Sequence, residues 1–314
     1  MKVLYLGPED CRQTVADELG GGFTVYHVRA ERDLVCHEVR DAAVVFDASM
    51  KVRLDRALLD AAPGLRLVIT ATTGADHIDS AALAERGIPL LTLKTEREFL
   101  RGITPAAELS WLLLLACARR LRAALSHVEQ GGWDREQFPG TMLRGRTLGL
   151  IGCGRIGGWM ARYARAFDMT VIGHDPFLTE LPPGVKASTL PEVLSSADFV
   201  SIHVHYSDAT RGLLGARELA LMKDGAALIN TSRGAIVDES ALLAGLAAGR
   251  PAALGVDVLE GEPDIRNSRI WQYARTHDNV IITPHIGGFS PDALAGVLRH
   301  TATRVREHFA NSAA

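Results

Sequence analysis

Residues 147–157 read T-L-G-L-I-G-C-G-R-I-G, an apolar run with strand character that passes through Gly152, Gly154 and Gly157 into a stretch of helical composition. In that strand-to-helix context the G-x-G-x-x-G spacing has a physical meaning. Gly152 permits a tight turn, Gly154 lets the backbone approach a pyrophosphate, and Gly157 lets the helix pack against the strand. The helix N-terminus then offers amide donors and partial positive charge to phosphates. Asp175 stands 18 positions past Gly157, at the end of the next apolar run. A carboxylate there accepts from the ribose hydroxyls of an adenosine and repels a 2′-phosphate. Pro176, Phe177 and Leu178 follow it, with no Arg or Lys, so NAD is expected rather than NADP.

Outward from this loop, β-rich runs recur with helical stretches between them. After Gly145 they fall at 147–151, 170–173, 199–203, 227–230, 253–256 and 280–282, six strands in the pattern of a doubly wound nucleotide-binding domain. An earlier series at 3–6, 23–28, 43–46, 65–70 and 89–93, alternating with helical stretches at 11–19 and 53–61, predicts a second α/β unit with a parallel sheet. Between the series a single helical segment is expected from Pro105 to about His127, with Thr104 as N-cap and Pro105 at N1. Residues 130–145 read as an arm over the surface or onto a partner subunit. The last helix, from Pro291 to about His308, is expected to pack back on the first unit.

Composition sets the outer bounds. A chain of 314 residues exceeds one ordinary core, which favours two domains. Apolar residues at 47 % and charged residues at 23 % are globular values. A net charge of −3 supplies no basic field for nucleic acid or an anionic membrane. Cys11, Cys36, Cys117 and Cys153 lack the C-x-x-C spacing of a zinc site, and with no export signal in the opening MKVLYLGPED a cytoplasmic location is expected. The apolar stretch 109–118 is too short for the ~20 residues of a membrane span and reads as a buried helix.

Three further segments lie just beyond strands of the second series: N-T-S-R-G at 230–234, D-V-L-E-G-E-P at 257–263 and T-P-H-I-G-G at 283–288. Carboxyl ends of strands line the ligand crevice of open α/β sheets, so Arg233, Glu262 and His285 are candidates to face a nicotinamide. In this order, after G-C-G-R-I-G and with T-T-G-A-D-H-I-D at 72–79 and A-T-R-G-L-L at 209–214, the chain resembles the D-isomer-specific 2-hydroxyacid dehydrogenase family over about residues 71–288.

The resemblance implies an α/β fold of two doubly wound parallel-sheet domains with an interdomain cleft. Residues 99–287 would form the NAD-binding Rossmann domain, and 1–98 with 288–314 a smaller flavodoxin-like substrate domain. The implied activity is hydride transfer between NAD(H) and a small 2-hydroxy or 2-oxo acid. Arg233 would bind the substrate carboxylate, His285 would be the general acid/base, and Glu262 would pair with His285 and favour its protonated form. Arg155, Ile156, Thr231 and Asp257 are further cofactor-side candidates. For Asp257 the resemblance implies contact with the nicotinamide carboxamide, and a strand-end capping role is the alternative. Thr73 and Gly74 match a loop whose amides hold the substrate carboxylate. Asp76 and Asp79 read as turn residues. A homodimer follows from the resemblance alone.

Some positions depart from the family pattern. His203 and His205, read as i and i+2 on one strand, share a face, but no metal site is expected; His205-Tyr206 replaces the commoner Pro-Leu. Residues 264–278, with Arg266, Arg269, Trp271 and Arg275, are longer and more basic than the usual connection and read as a solvated loop. Thr73 stands where the phosphite-oxidising branch carries lysine, which disfavours phosphite. Lys94, Arg97 and Arg101 are candidate contacts for an anionic tail, and phosphoglycerate turnover would have to proceed without the regulatory domain that many such enzymes add. A rival reading is a dinucleotide-sensing regulator, since the C-terminal-binding corepressors look similar and keep an Arg, a Glu and a His. A Rossmann protein that binds NAD without chemistry is a third; intact Arg233, Glu262 and His285 speak against it.

Overall fold

The computed structural model describes residues 1–311. The chain forms two compact units, Met1–Ile103 together with the chain from Ser290 onward, and Thr104–Phe289.

The first unit carries a wholly parallel sheet of β1 (Lys2–Leu6), β2 (Thr24–His27), β3 (Val44–Asp47), β4 (Leu67–Thr70) and β5 (Leu90–Leu91) in the order β2-β1-β3-β4-β5. Its central strands β1, β3 and β4 are apolar nearly throughout because both of their faces are covered. Leu4, Leu6, Val45 and Val68 enter one core. Val3, Val44, Phe46 and Ile69 enter the other, where they meet Leu298, Ala302 and Val305 of the helix Pro291–Asn311. That helix also packs on Arg12–Leu19. The last helix therefore belongs to the first unit for a hydrophobic reason: it shares with Arg12–Leu19 the covering of one face of the sheet.

The second unit holds β6 (Thr147–Ile151), β7 (Thr170–His174), β8 (Val185–Ala187), β9 (Phe199–Ile202), β10 (Ala227–Asn230), β11 (Ala253–Val256) and β12 (Val280–Ile282). All are parallel, in the order β12-β11-β10-β9-β6-β7-β8. The chain runs outward from β6 to β8 and returns to β9 on the other side of β6, which makes the carboxyl ends of β6 and β9 the switch point. Six of these strands are those the sequence predicts. The seventh, β8, is three residues, V-K-A, with a lysine in the middle, too short and too polar to register as an apolar run.

Two other expectations need correction. The segment 105–127 is not one helix but two, Pro105–Ala118 and Leu121–Glu129, separated by Arg120 in the left-handed region at φ 50°. Thr104 occupies the N-cap position yet makes no capping bond; its hydroxyl donates to Glu108 at 2.5 Å. Residues 264–278 are folded, not a solvated loop. They contain a helix, Arg269–Ala274, that buries Ile270 and Ala274. Glu239 fixes its start, accepting from Ser268 Oγ at 3.1 Å and from the Ile270 amide at 2.9 Å. The basic residues obscured this in the sequence, although two of them are used locally: Arg266 pairs with Asp264 and Arg275 lies over the Trp271 ring.

The stretch Arg97–Ala118 is long and apolar enough to cross a membrane by length and composition. Here it is interrupted, and the helix Pro105–Ala118 packs against β10, β11 and the helix Arg155–Ala166, with Trp111, Leu113 and Leu114 among its buried residues.

Candidate functional site

The glycine loop closes β6 and opens the helix Arg155–Ala166, as its spacing demands. Gly152 has φ +89°, and a Cβ there would sit 2.7 Å from the His203 carbonyl carbon. A Cβ on Gly157 would sit 2.3 Å from the Gly152 oxygen, so the first helical turn presses directly on the strand end. Around Gly154, by contrast, nothing lies within 4 Å of the Cβ position. Bare backbone thus faces open space at the helix N-terminus, which is what a pyrophosphate needs. Arg155 and Ile156 are half-buried in the first turn. At the end of β7, Asp175 accepts from the Cys153 amide at 2.9 Å and the Phe177 amide at 3.0 Å. One oxygen of its carboxylate receives each amide, leaving acceptor capacity for ribose hydroxyls. An open pocket lined by Gly173, His174, Asp175, Leu181, Val185 and Ser188 adjoins it. The residues present fit an adenosine dinucleotide.

The other candidates sit on loops at the carboxyl ends of three adjacent strands. After β10, Asn230 builds the N-T-S-R turn with both ends of its amide: Oδ1 accepts from the Ser232 amide at 3.0 Å, and Nδ2 donates to the Arg233 carbonyl at 2.9 Å. Ser232 Oγ donates to the Ile202 carbonyl at 2.9 Å, and Thr231 Oγ1 lies 2.7 Å from Ser110 Oγ. The next residue, Gly234, abuts the loop after β11, where a Cβ would meet the Leu259 and Glu260 backbone at 2.3 Å. Only a residue without a side chain lets these two loops close. The Arg233 turn is therefore packed against the segment that carries Glu262.

After β12, His285 faces Glu262, with Nδ1 2.6 Å from Oε1. The Leu259 amide donates to the other Glu262 oxygen at 3.3 Å. The Glu262 hydrogen bond raises the His285 pKa above its ordinary value, against burial and the nearby Arg233 charge, which both lower it. His285 itself is in the left-handed region at φ 56°, an uncommon state for a residue with a Cβ. Its amide donates to the Asp257 carbonyl at 2.9 Å.

Asp257 is 1 % exposed, and its carboxylate is taken up by this same loop. Oδ1 accepts from Thr283 Oγ1 at 2.5 Å and the Ile286 amide at 2.9 Å, and Oδ2 accepts from the Gly287 amide at 2.7 Å. This geometry makes Asp257 a cap for the strand end. The importance of Asn230 escaped the sequence reading, although an amide side chain at the head of a turn is a recognisable signal.

His203 and His205 do not share a strand face, because β9 ends at Ile202. His203 turns inward to Ser201, Nε2 to Oγ 2.8 Å, and burial pushes its pKa down to about 3, so it is neutral. His205 is exposed. Among the described residues no group of three or more His, Cys, Asp or Glu is placed to hold a metal.

In the first unit, Thr73 and Gly74 lie in the loop after β4, half-buried, with Thr72 Oγ1 donating to the Gly74 carbonyl at 2.6 Å. Asp79 caps the helix Ser80–Glu85 through the Ala82 amide at 2.9 Å. Lys94 and Arg97 are exposed, and Arg101 pairs with Glu98 at 3.1 Å.

Two family models match the chain. Residues 111–287 match the NAD binding domain of D-isomer specific 2-hydroxyacid dehydrogenases, and residues 3–96 match the catalytic domain of the same family. Among curated relatives, a hydroxypyruvate reductase of Thermotoga maritima is 36 % identical over 253 residues, 81 % of this chain and 79 % of that protein. A D-3-phosphoglycerate dehydrogenase of Methanocaldococcus jannaschii is 35 % identical over 266 residues, 83 % of this chain but 49 % of that protein. The chain thus spans about half the length of several relatives it matches. A crystal structure of D-lactate dehydrogenase from Aquifex aeolicus, complexed with NAD and lactic acid, superposes with a TM-score of 0.87 at 26 % identity, covering 99 % of this chain and 96 % of that one.

The close approach at Gly157 gives a direct test of the loop. Gly157→Ala is expected to cost about 1–3 kcal/mol in urea unfolding, the usual penalty for overpacking, and to weaken NADH binding in a fluorescence titration. Wild-type values for both would show that the helix start does not press on the strand end.

Proposed function

The chain belongs to the D-isomer specific 2-hydroxyacid dehydrogenase family, and from that premise we propose that it moves a hydride between NAD(H) and a small 2-hydroxy or 2-oxo acid through Arg233, Glu262 and His285. The observation that carries this reading is the 2.6 Å His285–Glu262 hydrogen bond, set close enough to Arg233 for the guanidinium charge to act on the imidazole. The bound nicotinamide supplies the site that accepts or donates the hydride. The planar guanidinium of Arg233 suits a substrate carboxylate, which it can grip through two donors. With Nδ1 engaged by Glu262, Nε2 of His285 is the atom left to exchange a proton with the substrate oxygen. In 2-oxo acid reduction the imidazolium gives that proton to the carbonyl oxygen; in the reverse direction neutral imidazole takes it from the hydroxyl. Glu262, by stabilising the imidazolium, favours reduction.

The first test is NADH oxidation with a panel of 2-oxo acids that includes glyoxylate, hydroxypyruvate, pyruvate and phenylpyruvate. Turnover of at least one is expected. His285→Ala should cut it by about 10² to 10⁴, the usual worth of general acid catalysis, with NADH affinity nearly unchanged. Undiminished turnover in that variant would sink the proposed role.

The raised pKa also fixes a sign. His285 keeps its proton to higher pH than an ordinary histidine, so the kcat/KM of reduction should fall as pH rises through that elevated value. Glu262→Gln removes the main cause and should move the fall to lower pH. A pH profile that stays in place in the variant contradicts the pairing.

A homodimer through the second unit is part of the proposal. Leu112, Leu125 and Val128 are exposed on the helices Pro105–Ala118 and Leu121–Glu129, and Trp133 in the following segment is 91 % exposed. So much apolar surface on neighbouring elements suits a partner. Light scattering at micromolar concentration should give twice the chain mass; a monomer refutes it.

A further inference from the structure

The helix Pro105–Ala118 is apolar over most of its length, and Ser110 is the one hydroxyl in its run 109–118. It is fully buried. A buried hydroxyl needs hydrogen-bond partners, and Ser110 has two. Its single hydrogen goes to the Ala106 carbonyl one turn earlier, with Oγ 2.7 Å from the oxygen. The hydrogen in the 2.7 Å contact between Ser110 Oγ and Thr231 Oγ1 therefore belongs to Thr231. Bonding within its own helix makes Ser110 an acceptor, and the Thr231 hydroxyl is turned toward it.

That bond completes the hold on the turn after β10. Asn230 closes the turn on itself, Ser232 ties it to the end of β9, and Thr231 ties it to the helix. The Ser232 carbonyl then accepts from Arg233 Nη1 at 2.8 Å, so the guanidinium is aimed by the backbone of the turn that carries it. The same stretch of helix backs the loop after β12. A Cβ on Gly287 would lie 3.6 Å from Leu109 Cδ2 and 3.7 Å from the Ala106 Cα. Ala106, Leu109 and Ser110 thus present one surface to two loops of the second unit, with apolar contact toward the His285 loop and a hydrogen bond toward the Arg233 turn. Loss of the Ser110 hydroxyl therefore acts on the Arg233 side alone.

We propose that Ser110 is a positioning residue for substrate binding: through Thr231 it fixes the turn that aims Arg233, and so sets the affinity for the 2-oxo acid without taking part in proton transfer. The proposal rests on the dehydrogenase reading above, in which Arg233 grips the substrate carboxylate. A two-donor grip depends on the plane and direction of the guanidinium fork, which a point charge would not require. Without the Ser110 oxygen the Thr231 hydroxyl loses its acceptor, and the turn keeps its ties to itself and to β9 only. Arg233 then samples orientations in which one of its two donors misses the carboxylate.

The test is a double-mutant cycle on steady-state reduction of a 2-oxo acid at saturating NADH, with the wild type, Ser110→Ala, Thr231→Val and the two combined. Ser110→Ala is expected to raise KM for the acid about fivefold, the worth of one hydrogen bond, with kcat within about twofold of the wild type. Thr231→Val deletes the same bond from its other end and should raise KM as much. Because both remove one interaction, the double variant should be no worse than either single one, whereas independent effects would multiply to about 25-fold. Multiplied effects overturn the proposal, as does an unchanged KM in Ser110→Ala or a loss confined to kcat. The pH profile of kcat/KM should stay in place in Ser110→Ala, since the His285–Glu262 bond is untouched; a displaced profile ties Ser110 to the acid instead and overturns the assignment. Should Ser110→Ala fail to fold, the half-buried Thr231 decides. Thr231→Ser keeps the hydroxyl and should keep the wild-type KM while Thr231→Val raises it; equal values in the two overturn the proposal. Wild-type turnover with any of these contrary results sinks this proposal alone. Turnover of no 2-oxo acid at all, with NADH still bound, would overturn the dehydrogenase reading and this proposal with it.

Discussion

The second unit depends on one buried carboxylate. Asp257 follows β11 directly and receives a hydroxyl and two amides from the loop after β12. Burying a charge costs free energy unless hydrogen bonds replace its water, and here three donors from a single loop do so. The loop adopts a conformation that satisfies all three. That conformation places His285 at φ 56°, a state that costs a residue with a side chain on the order of 1 kcal/mol. The strain persists because bonds on both sides of it fix the backbone, and its result is an imidazole directed at Glu262.

The remaining site residues are held by equally short-range means. Parallel order puts β10, β11 and β12 side by side, so the loops at their carboxyl ends are neighbours before any side chain is considered. Asn230 then shapes the Arg233 turn, and the missing side chain of Gly234 lets that turn meet the segment carrying Glu262. Arg233 and Glu262 pull the His285 pKa in opposite directions, and the carboxylate wins because it is in direct hydrogen-bond contact. A protonated imidazole and a guanidinium can thereby coexist.

Much of this was legible in the sequence because it rests on local pattern. Apolar runs mark the buried strands, the glycine spacing marks the strand-to-helix turn, and N-T-S-R-G, E-G-E-P and T-P-H-I-G-G mark three loops of one family. What stayed hidden depends on tertiary context. The strand β8 has no apolar run to betray it. The helix Arg269–Ala274 lies in a basic stretch and is secured by Glu239, some thirty positions earlier in the chain. The break at Arg120 leaves a composition that is helical on both sides. His203 and His205 share a face only if the strand runs on to His205, whereas it ends at Ile202.

Three aspartates show why strand-end acids resist sequence reading. Asp47, Asp175 and Asp257 each end or follow a parallel strand, and each accepts backbone amides. An aspartate that meets a ligand and one that caps its own loop occupy the same kind of position. What separates them is how many acceptor sites the chain itself fills, out of roughly four per carboxylate. Asp257 has three donors from one loop, and Asp47 has three donors and a histidine, with both residues 1 % exposed. Asp175 is half-buried and takes one amide on each oxygen, which leaves room for a ribose. Satisfaction of the carboxylate by the chain itself, rather than its location, is what distinguishes Asp175 from Asp47 and Asp257.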